Sequence, residues 1–433
     1  MQDSPQQGGA LKRDANFQWL MRGGVISLLG DQLTIVALPW LVLKLTSDPL
    51  ALGLVIALMA VPRAVFILIG GAVVDRHSPK QVMMLTKFAS AALTGLLALL
   101  IVASQSATAP ALSPQATLRI IYLLAFGMGL SQAFGIPCGT SILPRAIAPE
   151  HLQAANGALM GLRQLTMLLG PLLAAALLAL TGGSAGGLAC AFGFDCASFL
   201  VSAWTLSRVK LNELPPRPGE AGQSVLRSMG AGFALVWNDM SLRLCFAYWG
   251  AVALLIGGSL QVALPLLASE RLHAASAFGL LTGAHGAGTL LGMAGAARGG
   301  KLLNRISFGS LILLVDAIAG LLVMPLGAIG ATWQGMALLA ILGTLTGFVQ
   351  IAVFTWLQRR VPQHMMGRAM SIFMFIFVGL APLSAAGAGW LLTVFSLQQM
   401  FLGGGIVLMS MASAAWLFTP MRRIAHAPAA AAQ

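Results

Sequence analysis

Twelve long apolar runs dominate this chain of 433 residues and restrict what it can fold into. Each run holds about 20 residues with few charges, the length that crosses the hydrocarbon core of a bilayer as a helix. Only 9% of the residues are charged, whereas soluble domains carry about 25%. The pattern therefore predicts an all-α membrane protein with twelve transmembrane helices. The predicted spans are 19–43, 51–73, 82–104, 118–140, 154–179, 187–208, 243–267, 275–297, 308–328, 333–356, 368–394 and 398–418.

The basic residues predict the orientation of these spans. Of the 25 Lys and Arg residues, 20 lie at or near the side that holds both termini, Lys87 among them. Three lie on the other side, and Arg63 and Arg163 fall within spans. Because cytoplasmic loops carry an excess of Lys and Arg, we expect both termini to be cytoplasmic in a multi-pass protein of a bacterial inner membrane. The same loops explain the net charge of +13, so nucleic acid is not an expected partner.

One polar connection divides the spans into two sets of six. Residues 209–242 combine proline, glycine and charged residues, which is typical of a linker. Residues 1–16 are polar and no small-residue cleavage site follows them, so we interpret them as a tail and not as a signal peptide. The predicted organisation is a cytoplasmic tail at 1–16, a six-helix bundle at 17–208, a cytoplasmic linker at 209–242, a second six-helix bundle at 243–420 and a cytoplasmic tail at 421–433.

Short motifs recur at matching places in the two halves. Arg145 and a Pro-Glu-His sequence at 149–151 precede the fifth span, and residues 360–364 (Arg-Val-Pro-Gln-His) precede the eleventh. Residues 75–76 (Asp-Arg) and 304–305 (Asn-Arg) follow the second and eighth spans. Equal span counts and matching motifs predict duplicated halves with a binding site between them.

The loop after the second span resembles the signature of the major facilitator superfamily. Gly71, Asp75 and Arg76 match Gly-x-x-x-Asp-Arg, and Lys80 supplies the following basic residue. Further matches are Gly30-Asp31, Ala37-Leu38-Pro39-Trp40, Ala155-Asn156, Gly170-Pro171, Asp195-x-x-Ser198-Phe199, Gln358-x-x-Val361-Pro362 and Gly367-Arg368. Over about residues 17–420, the chain is similar to the drug-efflux subgroup that contains macrolide exporters and the enterobactin exporter.

The resemblance implies the major facilitator fold, with two pseudo-symmetric six-helix bundles, and a gate at the loop signature. Asp75 would act as a latch by meeting the N-terminus of the eleventh span, whose helix dipole is positive, together with Arg368. Gly71 would let two helices approach, and Arg76 and Lys80 would complete the charge network. The alternative interpretation is that these basic residues only anchor the loop by the positive-inside rule.

The resemblance also nominates residues of a central cavity. Gly170 and Pro171 would bend the fifth span, although a passive kink is the alternative. Arg163 is a cavity candidate that could instead extend towards the lipid headgroups. Because spans one, four, seven and ten line the cavity in this fold, three uncharged side chains are candidate substrate contacts: Gln132, Gln261 and Gln350.

Asp31 is the leading candidate for proton coupling. It lies at the middle of the first span, where an ionised carboxylate costs at least about 2.5 kcal/mol unless it is paired or protonated. Arg63 lies at the middle of the second span, so similar depth makes an Asp31–Arg63 pair possible. The pair would either belong to the coupling site or lock two helices together. His285 is a candidate proton relay, with a neutral hydrogen-bonded histidine as the alternative.

Asp195 and Asp316 are interpreted as structural hydrogen-bonding groups within the sixth and ninth spans. The sequence contains no phosphate-binding Gly-x-x-x-x-Gly-Lys-Ser/Thr loop and no His/Cys metal spacing, so we expect neither an enzyme nor a metal or cofactor site. The expected function is proton-coupled export of a small amphipathic molecule, a siderophore or macrolide-like drug, by a monomer surrounded by membrane lipids. The alternatives are a lipid or lysolipid flippase and an importer of the same fold.

Overall fold

In the computed structural model, the twelve predicted spans are helical. The structure describes residues 11, 13–76, 78–104, 112–211, 233–298, 306–362 and 365–425, with the side chains of 67–76, 136, 140, 149, 153, 275, 297–298, 367–368, 371 and 378 set aside. No β-strand occurs in these ranges. The all-α membrane fold is confirmed.

The first six spans form α1 to α6. Asp14 caps the first turn of α1, and Gly182 and Gly183, both with positive φ, form the turn that ends α5. The helices are α1 Ala15–Thr46, α2 Pro49–Arg76, α3 Pro79–Ser104, α4 in two segments (Pro114–Gln132 and Gly135–Ala146), α5 Leu152–Leu180 and α6 Ala185–Arg208.

The last six spans form α7 to α12. Eleven of the described helices are long and apolar enough to cross a membrane, and α8, with 24 residues, completes the predicted twelve. The helices are α7 Met240–Val252 and Ser259–Glu270 joined by a π-helical turn Ala253–Gly257, α8 Ala275–Arg298, α9 Phe308–Val323, α10 Thr332–Arg360, α11 Met366–Met374 and Ala381–Val394 joined by a π-helical turn Phe375–Leu380, and α12 Leu397–Phe418.

The chain forms two compact units that do not follow chain order strictly. The first unit is Met1–Ser47, Leu58–Pro218 and Ala274–Gly279, and the second is Asp48–Ala57, Gly219–His273 and Leu280–Gln433. The first turns of α2 thus belong to the second unit, and the start of α8 belongs to the first. Much of the predicted tails and linker lies outside the described residues, so the domain boundaries stay a prediction.

Small residues set the packing inside the first unit. In this unit α1 packs along α6 and α5, and α3 packs along α6 and α4. A Cβ atom at Gly23 would overlap the side chain of Thr205, and one at Gly30 would overlap Asp195 and Ser198. The absence of side chains at these two positions lets α1 approach α6 closely, as small residues commonly do between membrane helices.

In the second unit, α9 packs along α12, and glycines join α8 to α10. The missing side chains let the two backbones touch. The contacts are Gly288 with Ala340, Gly292 with Thr344, Gly343 with His285 and Gly347 with Thr289.

An ion pair joins the start of α7 to the end of α10 in the second unit. Arg360 donates from Nε to Asp239 Oδ2 at 2.9 Å and from Nη2 to Oδ1 at 3.1 Å. Asp239 also caps α7 by accepting from the backbone N–H groups of Ser241 and Leu242. Burial alone would raise the pKa of Asp239, but the bonds from Arg360 and the helix amides outweigh it and hold the pKa below its ordinary value.

Asp239→Asn is expected to lower the free energy of unfolding by no more than about 1 kcal/mol, because asparagine keeps the cap and the lost ion pair is partly exposed. Asp239→Ala also removes the cap and should cost a further 0.5–2 kcal/mol or so. Since the folded pKa of Asp239 is lowered, the wild-type advantage over Asp239→Asn should be present at pH 7 and lost as the pH falls through that lowered pKa. Thermal unfolding in detergent, from pH 7 down to below the pKa of Asp239, measures these differences in stability. Equal stability of the wild type, Asp239→Asn and Asp239→Ala would contradict the prediction.

Candidate functional site

One face of α1 carries the polar groups at the centre of the first unit. Ser27, Asp31 and Thr34 are spaced by four and three residues, which places them on one side of a helix. Ser27 and Thr34 are buried at 2% exposure each, while Asp31 is half-buried. Asp31 forms no hydrogen bond with any described residue. Its carboxylate is therefore not held in place by a hydrogen bond to the described part of the chain.

Asp195 on α6 faces this side of α1 and is held rigidly. It is fully buried, at 0% exposure. Its Oδ2 accepts from Thr34 Oγ1 at 2.6 Å, and its Oδ1 accepts from Ser198 Oγ at 3.2 Å. These two bonds agree with the predicted hydrogen-bonding role. Asp195 also interacts electrostatically with Asp31, so two carboxylates share one region of the unit.

Lys87 on α3 completes the cluster. Its Nζ donates to Ser27 Oγ at 2.6 Å and lies 5.0 Å from the ring centroid of Phe199. Its charge also interacts electrostatically with Asp31 and Asp195, without a direct ion pair to either in the described part of the chain. One ammonium group and two carboxylates therefore lie in the same region of the membrane-spanning part of the protein. We call Asp31, Lys87 and Asp195 the charge cluster.

The charge pattern of the sequence grouped Lys87 with the basic residues at or near the cytoplasmic face and did not single it out as a neighbour of Asp31. Lys87 lies eight residues after Pro79, the first residue of α3, which is about 12 Å along the helix axis. A signal for its position exists in the sequence, because Lys87, Ser90 and Thr94 repeat on one helix face. Ser90 contacts the hydroxyl group of Ser131 on α4.

Asp31 and Arg63 do not form the ion pair that similar depth had suggested. Arg63 Nη1 instead donates to Gln132 Oε1 at 3.3 Å, while Arg63 Nε is buried without a partner among the described residues. Lys87 and Arg63 both act electrostatically on Asp31, but neither forms an ion pair with it. Depth along a helix fixes the height of a side chain but not its direction around the axis, which explains the difference.

The other candidates in this unit are spread around the charge cluster. Arg163 is exposed on α5 and interacts with Arg63 as a like charge. Gly170 packs against Gln32, the neighbour of Asp31, and Pro171 lies within an unbroken α5. A bend at this proline stays a prediction.

The candidate residues of the second unit form no hydrogen bonds with one another among the described residues. The side chains of Gln261 and Gln350 are exposed and form no hydrogen bond with described residues. His285 is partly buried, and its carbonyl oxygen accepts from Thr289. Asp316 accepts from the phenol of Tyr248 at 2.8 Å, in agreement with a structural role.

The predicted gate is only partly described. Lys80 Nζ donates to the carbonyl oxygens of Ser207 at 2.9 Å and Val209 at 2.6 Å, so here it caps the C-terminal end of α6. The side chains of the other predicted gate residues lie outside the described set: Gly71, Asp75, Arg76 and Arg368. Their gating role stays a prediction. Within the described residues, no group of three or more His, Cys, Asp or Glu side chains could hold a metal ion.

In the described part of the chain, eleven helices are long and apolar enough to cross a membrane, and they define a multi-pass membrane protein. The chain belongs to the Major Facilitator Superfamily, whose family model matches residues 20–385. Members of this family are transporters of small molecules.

Relatives and solved structures agree with this family. The chain is 27% identical to the enterobactin exporter EntS of Salmonella paratyphi A over 364 residues, 83% of this chain and 81% of the relative. The match to the enterobactin exporter of Escherichia coli O1:K1 is also 27%, over 83% and 80%. The fold resembles the nucleoside transporter NupG (TM-score 0.66, 14% identity, 93% of this chain and 100% of that one). It also resembles a bacterial homologue of the iron transporter ferroportin in an inward-facing state (TM-score 0.67, 17% identity, 92% and 98%).

Proposed function

We propose that this protein is a secondary exporter that moves a small amphipathic molecule out of a bacterial cell in exchange for protons. It would lie in the inner membrane with both termini in the cytoplasm, and work by alternating access. The enterobactin exporters among its relatives favour a siderophore as substrate, with a macrolide-like drug as the second candidate.

The observation that carries the proton-coupling proposal is the contrast between Asp31 and Asp195. Asp195 is buried and held by two hydroxyl groups, whereas Asp31 is half-buried and has no hydrogen bond to a described residue. The ammonium group of Lys87 interacts electrostatically with both carboxylates, and the guanidinium group of Arg63 also acts on Asp31. An ionised carboxylate without a nearby positive charge is costly inside a bilayer. A proton on Asp31 would neutralise its carboxylate whenever the ammonium group of Lys87 binds another group.

The remaining candidates have supporting roles in this proposal. Arg63 and Gln132, joined by a hydrogen bond, would present polar groups to the substrate beside Asp31. Further substrate contacts would come from Arg163, Gln261 and Gln350, and a second proton relay from His285. The gate would be formed by Gly71, Asp75, Arg76, Lys80 and Arg368, with a bend of α5 at Gly170 and Pro171.

Accumulation in everted membrane vesicles tests the direction and the driving force. Vesicles containing the protein and acidified inside should accumulate labelled enterobactin or a labelled macrolide, because their interior corresponds to the outside of the cell. A protonophore should abolish the accumulation, and vesicles without the protein give the background. Uptake only by right-side-out vesicles would make the protein an importer, and protonophore-resistant accumulation would contradict antiport.

A further inference from the structure

A second polar feature lies far from the charge cluster, where the start of α1 meets the end of α6. Trp19 and Trp204 pack edge to face with ring centroids 5.5 Å apart. The guanidinium of Arg22 lies 5.3 Å from the centroid of Trp19, and that of Arg208 lies 5.6 Å from the centroid of Trp204. Two tryptophans thus hold two guanidinium groups on neighbouring helices of one unit.

These two arginines carry charge that the described residues do not balance. Both are exposed, and neither forms an ion pair with a described carboxylate. Arg22 donates a long hydrogen bond to the uncharged Gln18 Oε1 at 3.4 Å. The carbonyl oxygens of Ser207 and Val209, which could otherwise attract Arg208, accept from Lys80 instead.

An exposed apolar surface continues from the arginines along α6. Leu200, Val201 and Trp204 are 46%, 37% and 51% exposed, and they precede Arg208 by eight, seven and four residues. These spacings place them on the side of α6 that carries Arg208. Tryptophan is typical of the membrane interface, where its ring spans the boundary between headgroups and acyl chains.

We propose that this surface binds an anionic phospholipid. Arg22 and Arg208 would hold its phosphate from two sides, since guanidinium groups bind phosphate oxygens through paired hydrogen bonds. An acyl chain would lie on Trp204, Val201 and Leu200. The lipid would join the ends of α1 and α6, the two helices that contribute Asp31 and Asp195.

Native mass spectrometry of the intact protein tests the proposal. The protein is released from detergent after equilibration with equal amounts of phosphatidylglycerol and phosphatidylcholine, which differ in headgroup charge. The wild type should retain phosphatidylglycerol at least fivefold more than phosphatidylcholine. Arg22→Gln/Arg208→Gln should reduce this preference to near parity, whereas the control Arg119→Gln, which removes an exposed arginine elsewhere in the unit, should keep it.

Two results would overturn the proposal: equal retention of the two lipids by the wild type, or an unchanged preference in the double variant. The single variant Arg208→Gln provides the same comparison if the double variant is poorly folded. Addition of inorganic phosphate separates a lipid site from a general anion site, because phosphate should displace the lipid only from the latter.

Discussion

Lys87→Met is expected to abolish proton-coupled accumulation, leaving the rate of vesicles without the protein. Methionine keeps the length of the side chain but removes the ammonium group, which donates to Ser27 and interacts electrostatically with Asp31 and Asp195. A hydrogen bond to a charged group contributes about 1.5–3 kcal/mol, so loss of the bond from Lys87 to Ser27 should also lower the free energy of unfolding by roughly 2 kcal/mol. Accumulation in acidified everted vesicles and thermal unfolding in detergent measure the two effects.

The control for this substitution is Lys44→Met. Lys44 lies near the other end of α1 and donates to the carbonyl oxygen of Gly183, outside the charge cluster. The Lys44→Met variant should transport at a rate close to that of the wild type. In Lys87→Met/Asp31→Asn the unfolding temperature should recover in part while transport remains absent, because only Asp195 is then left without the charge of Lys87. Normal coupling in Lys87→Met would show that the cluster is only structural.

Gly30→Ala is expected to separate α1 from α6 and to disable transport. An added Cβ would overlap the Asp195 carboxylate and the Ser198 hydroxyl, and would lie 3.0 Å from the Asp195 Cα atom. Because a backbone atom cannot move as a side chain can, the helices must shift, and overpacking of this kind costs about 1–3 kcal/mol. The Thr34–Asp195 bond would be lost with the shift. Unfolding temperature and vesicle accumulation should both fall.

Gly24→Ala is the matched control on the same helix. The nearest atom to its added Cβ would be Leu162 Cδ2 at 3.9 Å, an ordinary contact. Alanine is also the better helix former by about 1 kcal/mol, so Gly24→Ala should be as stable as the wild type or slightly more stable. If the two glycine variants behave alike, the close approach at Gly30 is not what holds the cluster together.

The sequence predicted the fold well because the length of each apolar run can be read directly along the chain. Twelve spans follow from counting apolar residues, and Asp31 stands out because a carboxylate is rare at that depth. The partner of Asp31 depends instead on how each helix is rotated. Arg63 has the right depth but donates its hydrogen bond to Gln132, and Lys87, which the charge pattern places near the cytoplasmic face, is a second basic group that acts on Asp31.

The contacts of Asp195 also show which features the sequence could predict and which it could not. Asp195 was interpreted from the sequence as a structural hydrogen-bonding group, and the structure shows a bond from Ser198 at 3.2 Å. Its bond to Thr34 joins positions 161 residues apart, and that contact depends on the close approach at Gly30. Packing of this kind is set by the tertiary structure and has no signature in either helix alone.

The proposed coupling role of Asp31 is best tested by proton release from proteoliposomes that contain the wild type or Asp31→Asn. Asparagine preserves the size of the side chain but cannot exchange a proton, and Asp316→Asn, a carboxylate bonded to Tyr248 in the second unit, is the control. With the substrate that everted vesicles accumulate, the wild type and Asp316→Asn should release protons, whereas Asp31→Asn should be silent. Substrate-driven proton release by Asp31→Asn would contradict the assignment of coupling to the charge cluster around Asp31.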